Sequence, residues 1–165
     1  MKNLLKMGAV ALFAVTLAAC NNEDPKADYK KLVEWNQQQA EPQQKIVAEL
    51  QQNIATAKEN ANAQAVDEAI KTYETATDAI IQSLDKVEVK SKEIAPFKAK
   101  TKDVLLRSKA VTSAGAKAAI TQPSPEEMQK IQGEVADLQK AVKEFADLGA
   151  ELDKKYGEKP APAAK

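Results

Sequence analysis

The sequence predicts an all-α protein, an antiparallel four-helix bundle or an extended helical hairpin with coiled-coil-like packing. Three observations carry that prediction. Ala, Gln, Glu, Lys and Leu abound, while aromatics make up only 4% of the chain and glycines number only five. Straight-chain residues lose little rotamer freedom in a helix, so this bias favours helices over sheets. Apolar residues also recur at alternating steps of three and four in four separate stretches, which places them on one helical face. Between those stretches stand Asn, Pro and Ser at positions that start or stop helices.

In the first helix, Asp24-Pro25 reads as an N-cap followed by proline at the first helical position. Its seam runs Tyr29, Val33, Asn36, Ala40, Gln43, Val47, Leu50, Ile54 and Ala57. Pro42 lacks an N–H and should kink this helix or split it in two. Asn60 and Asn62 lie where the register slips, so a turn is expected there. Spacing restarts as Val66, Ile70, Tyr73, Thr77, Ile80, Leu84 and Val87. Residues 88–95 read as a loop before Pro96, and the third helix follows with Phe97, Thr101, Val104, Ser108, Val111, Gly115 and Ala118. In "TQPSPEEM", Ser124 can cap the next helix, Pro125 can start it, and Glu127 completes a capping box. The fourth seam is Met128, Ile131, Val135, Leu138, Val142, Phe145, Gly149, Leu152 and Tyr156, stopped by Gly157. The helical domain therefore spans residues 25–157. Residues 158–165, "EKPAPAAK", form a Pro/Ala tail with too little apolar content to fold, expected to be extended and disordered.

Polar residues within the seams leave the two architectures open. Asn36, Gln43, Thr77 and Ser108 need partners if buried in one closed bundle. In a looser hairpin that closes only on dimerisation, they can stay wet.

The N-terminus has a different character. Lys2 and Lys6 precede an uncharged apolar run over residues 7–17, too short for a transmembrane helix of roughly 20 residues. A charged start, a short apolar core and small residues before a polar boundary describe a secretory signal over residues 1–19. The segment Leu17-Ala18-Ala19-Cys20 resembles the lipobox of bacterial lipoproteins. That resemblance implies cleavage between Ala19 and Cys20. It also implies a diacylglycerol thioether on Cys20 and N-acylation, with fatty acids such as palmitate. Two acyl chains already give stable anchoring, at about 0.8 kcal/mol per buried methylene. The family's sorting rule in enteric bacteria retains proteins with Asp after the cysteine in the inner membrane. Asn21 therefore implies the periplasmic face of the outer membrane. Residues 20–24 become a lipidated N-terminus and spacer. Beyond the signal, "CNNEDPKADYKKLVEWNQ" and "AITQPSPEEM" are similar to a family of small helical enterobacterial lipoproteins of unknown function.

Composition excludes much chemistry. The chain has no histidine and one cysteine. Ser-His and Cys-His nucleophilic pairs are therefore absent, as are zinc sites of Cys and His and helical Glu-x-x-His sites. The glycines stand singly, so no phosphate-cradling loop exists. Basic and acidic side chains number 24 each, and the signal removes two lysines, which gives no case for nucleic acid. With acids on every helix, a solvated face accounts for them better than a catalytic carboxylate pair. The expectation is a non-enzymatic protein without cofactor or metal.

Three features could support binding. Residues 85–120 are rich in Lys and Arg, and residues 126–153 are rich in acids. Either neighbouring helices complement each other across an exposed groove, or Lys98, Lys102 and Lys109, on one helical face, contact anionic lipid or cell-wall groups. Trp35, beside the seam with Leu32, Gln39 and Ile46, either covers the end of the bundle or anchors a partner. Lys165 invites comparison with the murein lipoprotein of enteric bacteria, joined to peptidoglycan through a C-terminal lysine, although "APAA" departs from that family's terminal sequence. The sequence thus points to an outer-membrane-anchored periplasmic lipoprotein that binds or spaces envelope components. Its alternatives are a tether to peptidoglycan through the C-terminal region, and an inhibitor or immunity-type binder of an envelope enzyme.

Overall fold

A computed structural model describes residues 23–60 and 62–157. Among these residues there are four helices and no strand: α1 Pro25–Glu59, α2 Ala63–Asp85, α3 Ala95–Ala118 and α4 Pro125–Tyr156. At 1.5 Å per residue, α1 and α4 run about 50 Å, and α2 and α3 about 35 Å. The ends follow from local chemistry. Asp24 Oδ1 accepts the Ala27 N–H, Asn62 Oδ1 accepts the Ala65 N–H, and Asn60 ends α1. At α4, Ser124 Oγ accepts the Glu127 N–H while Glu127 Oε2 accepts the Ser124 N–H, a complete capping box.

Three expectations are corrected. Pro42 does not split the first helix, because α1 runs unbroken from Pro25 to Glu59 with Pro42 exposed. The inner face of α1 also differs from the expected seam in its lower half. Leu32 and Trp35 are buried beside the expected Tyr29, whereas Asn36 and Ala40 are exposed, as is Val47 farther up. The two larger apolar side chains remove more area from water than Asn36 and Ala40 would, and that difference rotates the helix. Higher up, both stripes converge on Leu50 and Ala57, which are buried. At the other end, α3 starts at Ala95, one residue before Pro96.

The main core lies at one end, called here the base. It gathers Tyr29, Leu32 and Trp35 of α1, Ile80 and Leu84 of α2, Ile94 and Phe97 around the start of α3, and Leu152 of α4. Phe97 stacks on Phe145 with ring centroids 5.0 Å apart and contacts Tyr29 at 5.7 Å. Gly149 makes room for the Phe97 ring, since a Cβ there would stand 3.3 Å from the ring edge. A smaller cluster of Leu50, Ala69 and Tyr73 joins α1 to α2 farther up.

Consecutive helices pack antiparallel, yet the four do not close into a square. Lys102 and Lys109 of α3 pair with Asp85 and Asp78 of α2, while Lys100 and Arg107 pair with Glu144 and Asp137 of α4. At 3.6 residues per turn those two sets lie on nearly opposite sides of α3. On α2, Asp78 and Asp85 face α3 while Ser83 and Ala69 face α1, again nearly opposite. The helices therefore form a curved row, α1-α2-α3-α4. Its two outer members touch far less than any adjacent pair. They meet at the base, where Tyr29 and Tyr156 approach to 6.4 Å between centroids. Among the described residues no helix is long and apolar enough to cross a membrane.

Candidate binding surfaces

The base is locked by one carboxylate. Asp28, in the first turn of α1, is only 3% exposed. Its Oδ2 accepts the backbone N–H groups of Lys90 and Ser91 at 2.7 and 2.8 Å, and its Oδ1 accepts Lys31 Nζ at 2.8 Å. Lys31 Nζ also donates to the Glu88 carbonyl. The connection between α2 and α3 is thereby fastened to the start of α1. Burial alone would raise the Asp28 pKa; the Lys31 ammonium and the N–H groups of Ser91 and Lys90 outweigh it and hold the carboxyl below its ordinary range. On the other flank, Glu93 accepts from Lys155 Nζ and from the Tyr156 hydroxyl, fastening the end of α4 to the same connection. The Lys155 ammonium and then the Tyr156 hydroxyl keep the Glu93 carboxyl below its usual value.

Beside this lock, α1 and α4 frame a groove of about 360 Å³, with Tyr29, Val33 and Tyr156 as its apolar floor and Lys26, Glu34 and Asp153 among its charged walls. Burial pushes the Tyr29 phenol pKa up, and the neighbouring Asp153 carboxylate adds to the shift. A second groove, of about 320 Å³, lies at mid-height between α1, α2 and α3. Its lining mixes Ile46, Val47, Tyr73, Ile80, Val104 and Leu105 with Gln43, Thr77, Ser108 and Thr112. No residue of α4 lines it. Three of the four polar seam residues singled out in the sequence thus converge on one groove, and the fourth, Asn36, is exposed.

The sequence-derived candidates fall elsewhere. Lys98 Nζ donates to the carbonyls of Asp85 and Val87, the C-terminal end of α2, where a cation also complements the helix dipole. Lys102 holds both oxygens of Asp85, and Lys109 pairs with Asp78. All three lysines share one face and each has a partner within the chain. The charge asymmetry is answered on both sides of α3, by α2 as well as by the acid-rich α4. Trp35 is buried in the core, with Nε1 donating to Ser83 Oγ at 2.9 Å. Ala19, Cys20 and Lys165 lie outside the described residues. Asp28 escaped the sequence reading, because an acid in the first turn of a helix reads as a dipole complement. Its backbone partners, the N–H groups of Lys90 and Ser91, lie some sixty residues away, and no local signal names them.

The family model described as "Uncharacterised lipoprotein PM1805" matches residues 26–157. No curated protein and no solved structure matches the chain. The match covers nearly the whole helical domain, so the chain belongs to that lipoprotein family. It is accordingly a lipid-anchored membrane protein with an all-α domain and no assigned activity.

Proposed function

We propose that this member of the lipoprotein family sits on the periplasmic face of the outer membrane, triacylated at Cys20. On that reading its helical domain is a binding or structural component of the envelope rather than an enzyme. The observation that carries the proposal is the lipobox Leu17-Ala18-Ala19-Cys20, four residues ahead of the helix cap at Asp24. Four residues reach about 14 Å when fully extended, so the base faces the lipid surface and the mid-height groove stands clear of it. Asn21 supports the outer over the inner membrane. The absence of histidine, the use of the single cysteine for acylation and the pairing of many acids with lysines support binding over catalysis. The mid-height groove is the surface best suited to a protein partner, because its apolar walls carry hydrogen-bonding Gln43, Ser108 and Thr112.

Two readings compete with a plain binding role. A cell-wall tether would use Lys165, and the fold bears on its reach. The helical row returns Gly157 to the base, beside the anchored end. Eight further residues extend at most about 28 Å, so such a link would hold the wall near the membrane instead of a bundle length away. An inhibitor or immunity-type protein would instead hold one envelope enzyme stoichiometrically. Crosslinked pull-down from native envelopes, run beside boiled sacculi, separates these readings. A stoichiometric envelope enzyme in the pull-down would replace the binding reading with the inhibitor, whereas the binding reading expects a non-enzymatic envelope partner whose recovery drops about tenfold when Ser108→Lys fills the groove. Retention on sacculi that ends when Lys165 is deleted would replace it with the tether.

A further inference from the structure

The outer helices of the row carry matched stripes that the chain covers only in part: Val33 and Ile54 pack at the edges of the two clusters, and the stretches between and beyond them stay open. On α1, Val33, Ala40, Val47 and Ile54 recur every seven residues, flanked by Gln37, Gln44 and Gln51 at the same interval. On α4, Met128, Val135 and Val142 do the same, flanked by Gln132 and Gln139. Val47, Met128 and Val142 are 38%, 41% and 44% exposed, and all five glutamines are exposed. Gln44, Val47, Ala48 and Gln51 with Gln43 border a shallow apolar hollow on α1. The first four stand at the i, i+3, i+4, i+7 positions of a coiled-coil hole.

The contact at the base fixes how these stripes match. With Tyr29 beside Tyr156, antiparallel helices bring residues 41 and 44 level with residues 141–144. Glu41 and Lys143 occupy equivalent flanking positions beside their stripes, level with each other, with opposite charge and both exposed. Opposite charges at such positions set partner and orientation in coiled coils. Closure within one chain is opposed by the ion pairs that clamp α3 between α2 and α4 on opposite sides, since folding the row into a square would break one set.

We infer that the open α1/α4 seam is an interface for a second copy of this chain, with α1 of each copy lying antiparallel against α4 of the other. A two-fold axis along the helices generates both contacts at once, and such an interface is isologous. The two copies then point the same way, with both starts of α1 at one end. A shared membrane imposes that same orientation, so anchor and register agree. The inference rests on the proposed acylation of Cys20 only for this agreement.

The test uses full-length chains in their own envelope. One tagged copy carries Gln44→Cys and a second, differently tagged, carries Val142→Cys; both are co-expressed and mildly oxidised. The interface expects a disulfide-linked species bearing both tags, at twice the chain mass. The unsubstituted chain serves as control, because a disulfide dimer there reports a free Cys20 thiol and overturns the acylation reading alone. A second arm is independent of thiols. Glu41→Lys or Lys143→Glu alone should raise the dimer dissociation constant in detergent about fivefold to tenfold, and the two together should restore it. Absence of doubly tagged species without rescue by the charge swap would overturn the interface. A Gln44→Cys/Val142→Cys chain that closes only on itself would do the same, and so would α1 crosslinked only to a foreign protein.

Discussion

Asp28 directs its charge at the backbone of a connection that the sequence places 62 and 63 residues away. Truncating it leaves the N–H donors of Lys90 and Ser91 without their acceptor and the Lys31 ammonium with only the Glu88 carbonyl. Asp28→Ala should lower unfolding free energy at neutral pH by about 2–4 kcal/mol, measured by urea titration. The sign of its pH dependence follows from the depressed folded pKa. The stabilisation is present above the ordinary carboxylate value near 3.9 and is lost as pH falls through the lower folded value. Asp28→Asn should therefore flatten the loss of stability below about pH 4, though part of the slope stays with Glu93, Glu127 and Glu144, whose pKa values are also lowered. Residues with local roles were legible in the sequence: Asp24, Ser124 and Glu127 do as caps what their spacing announces, while Asn62, read there only as part of a turn, also caps α2. Residues with distant partners were not. Lys98, Lys102 and Lys109 share a face as their spacing requires, but only the packing of α3 beside α2 decides where that face points.

At the scale of the element, α1 holds the clearest gap between pattern and fold. Its three-four spacing fits two adjacent stripes, one through Val33, Ala40 and Val47 and one through Leu32, Trp35 and Ile46. Periodicity alone cannot rank them, and burial of the tryptophan and leucine does. The unchosen stripe keeps its heptad spacing on the open side of the row, where a partner helix can use it. Pro42 lies in the interior of the same helix. It denies Gln38 its backbone partner within a continuous helix, and an interior proline costs up to about 3 kcal/mol relative to alanine. Pro42→Ala should raise the stability of the chain by about 1–3 kcal/mol with no change in helix boundaries. Thermal unfolding followed by circular dichroism checks this, and a lower midpoint would mean that the proline fits α1 without strain and stabilises through the unfolded chain.

For the whole molecule, fold class and membership of a lipid-anchored family were readable because each rests on short-range patterns: caps and apolar period for the one, the lipobox-like N-terminus for the other. The curvature of the row was not, because it depends on which sides of α2 and α3 the ion pairs occupy. That curvature matters to the proposed function. It leaves a lined groove and an open seam on a domain held at its base, where Asp28 and Glu93 fasten both outer helices to one connection. The central claim is that this domain is presented from the outer membrane by lipid on Cys20. Density-gradient separation of envelopes from cells expressing the native chain, Cys20→Ala and Asn21→Asp tests it most directly. The native chain should band with the outer membrane, Cys20→Ala should leave that band, and Asn21→Asp should shift to the inner membrane. A Cys20→Ala chain that still bands with the outer membrane would contradict the claim.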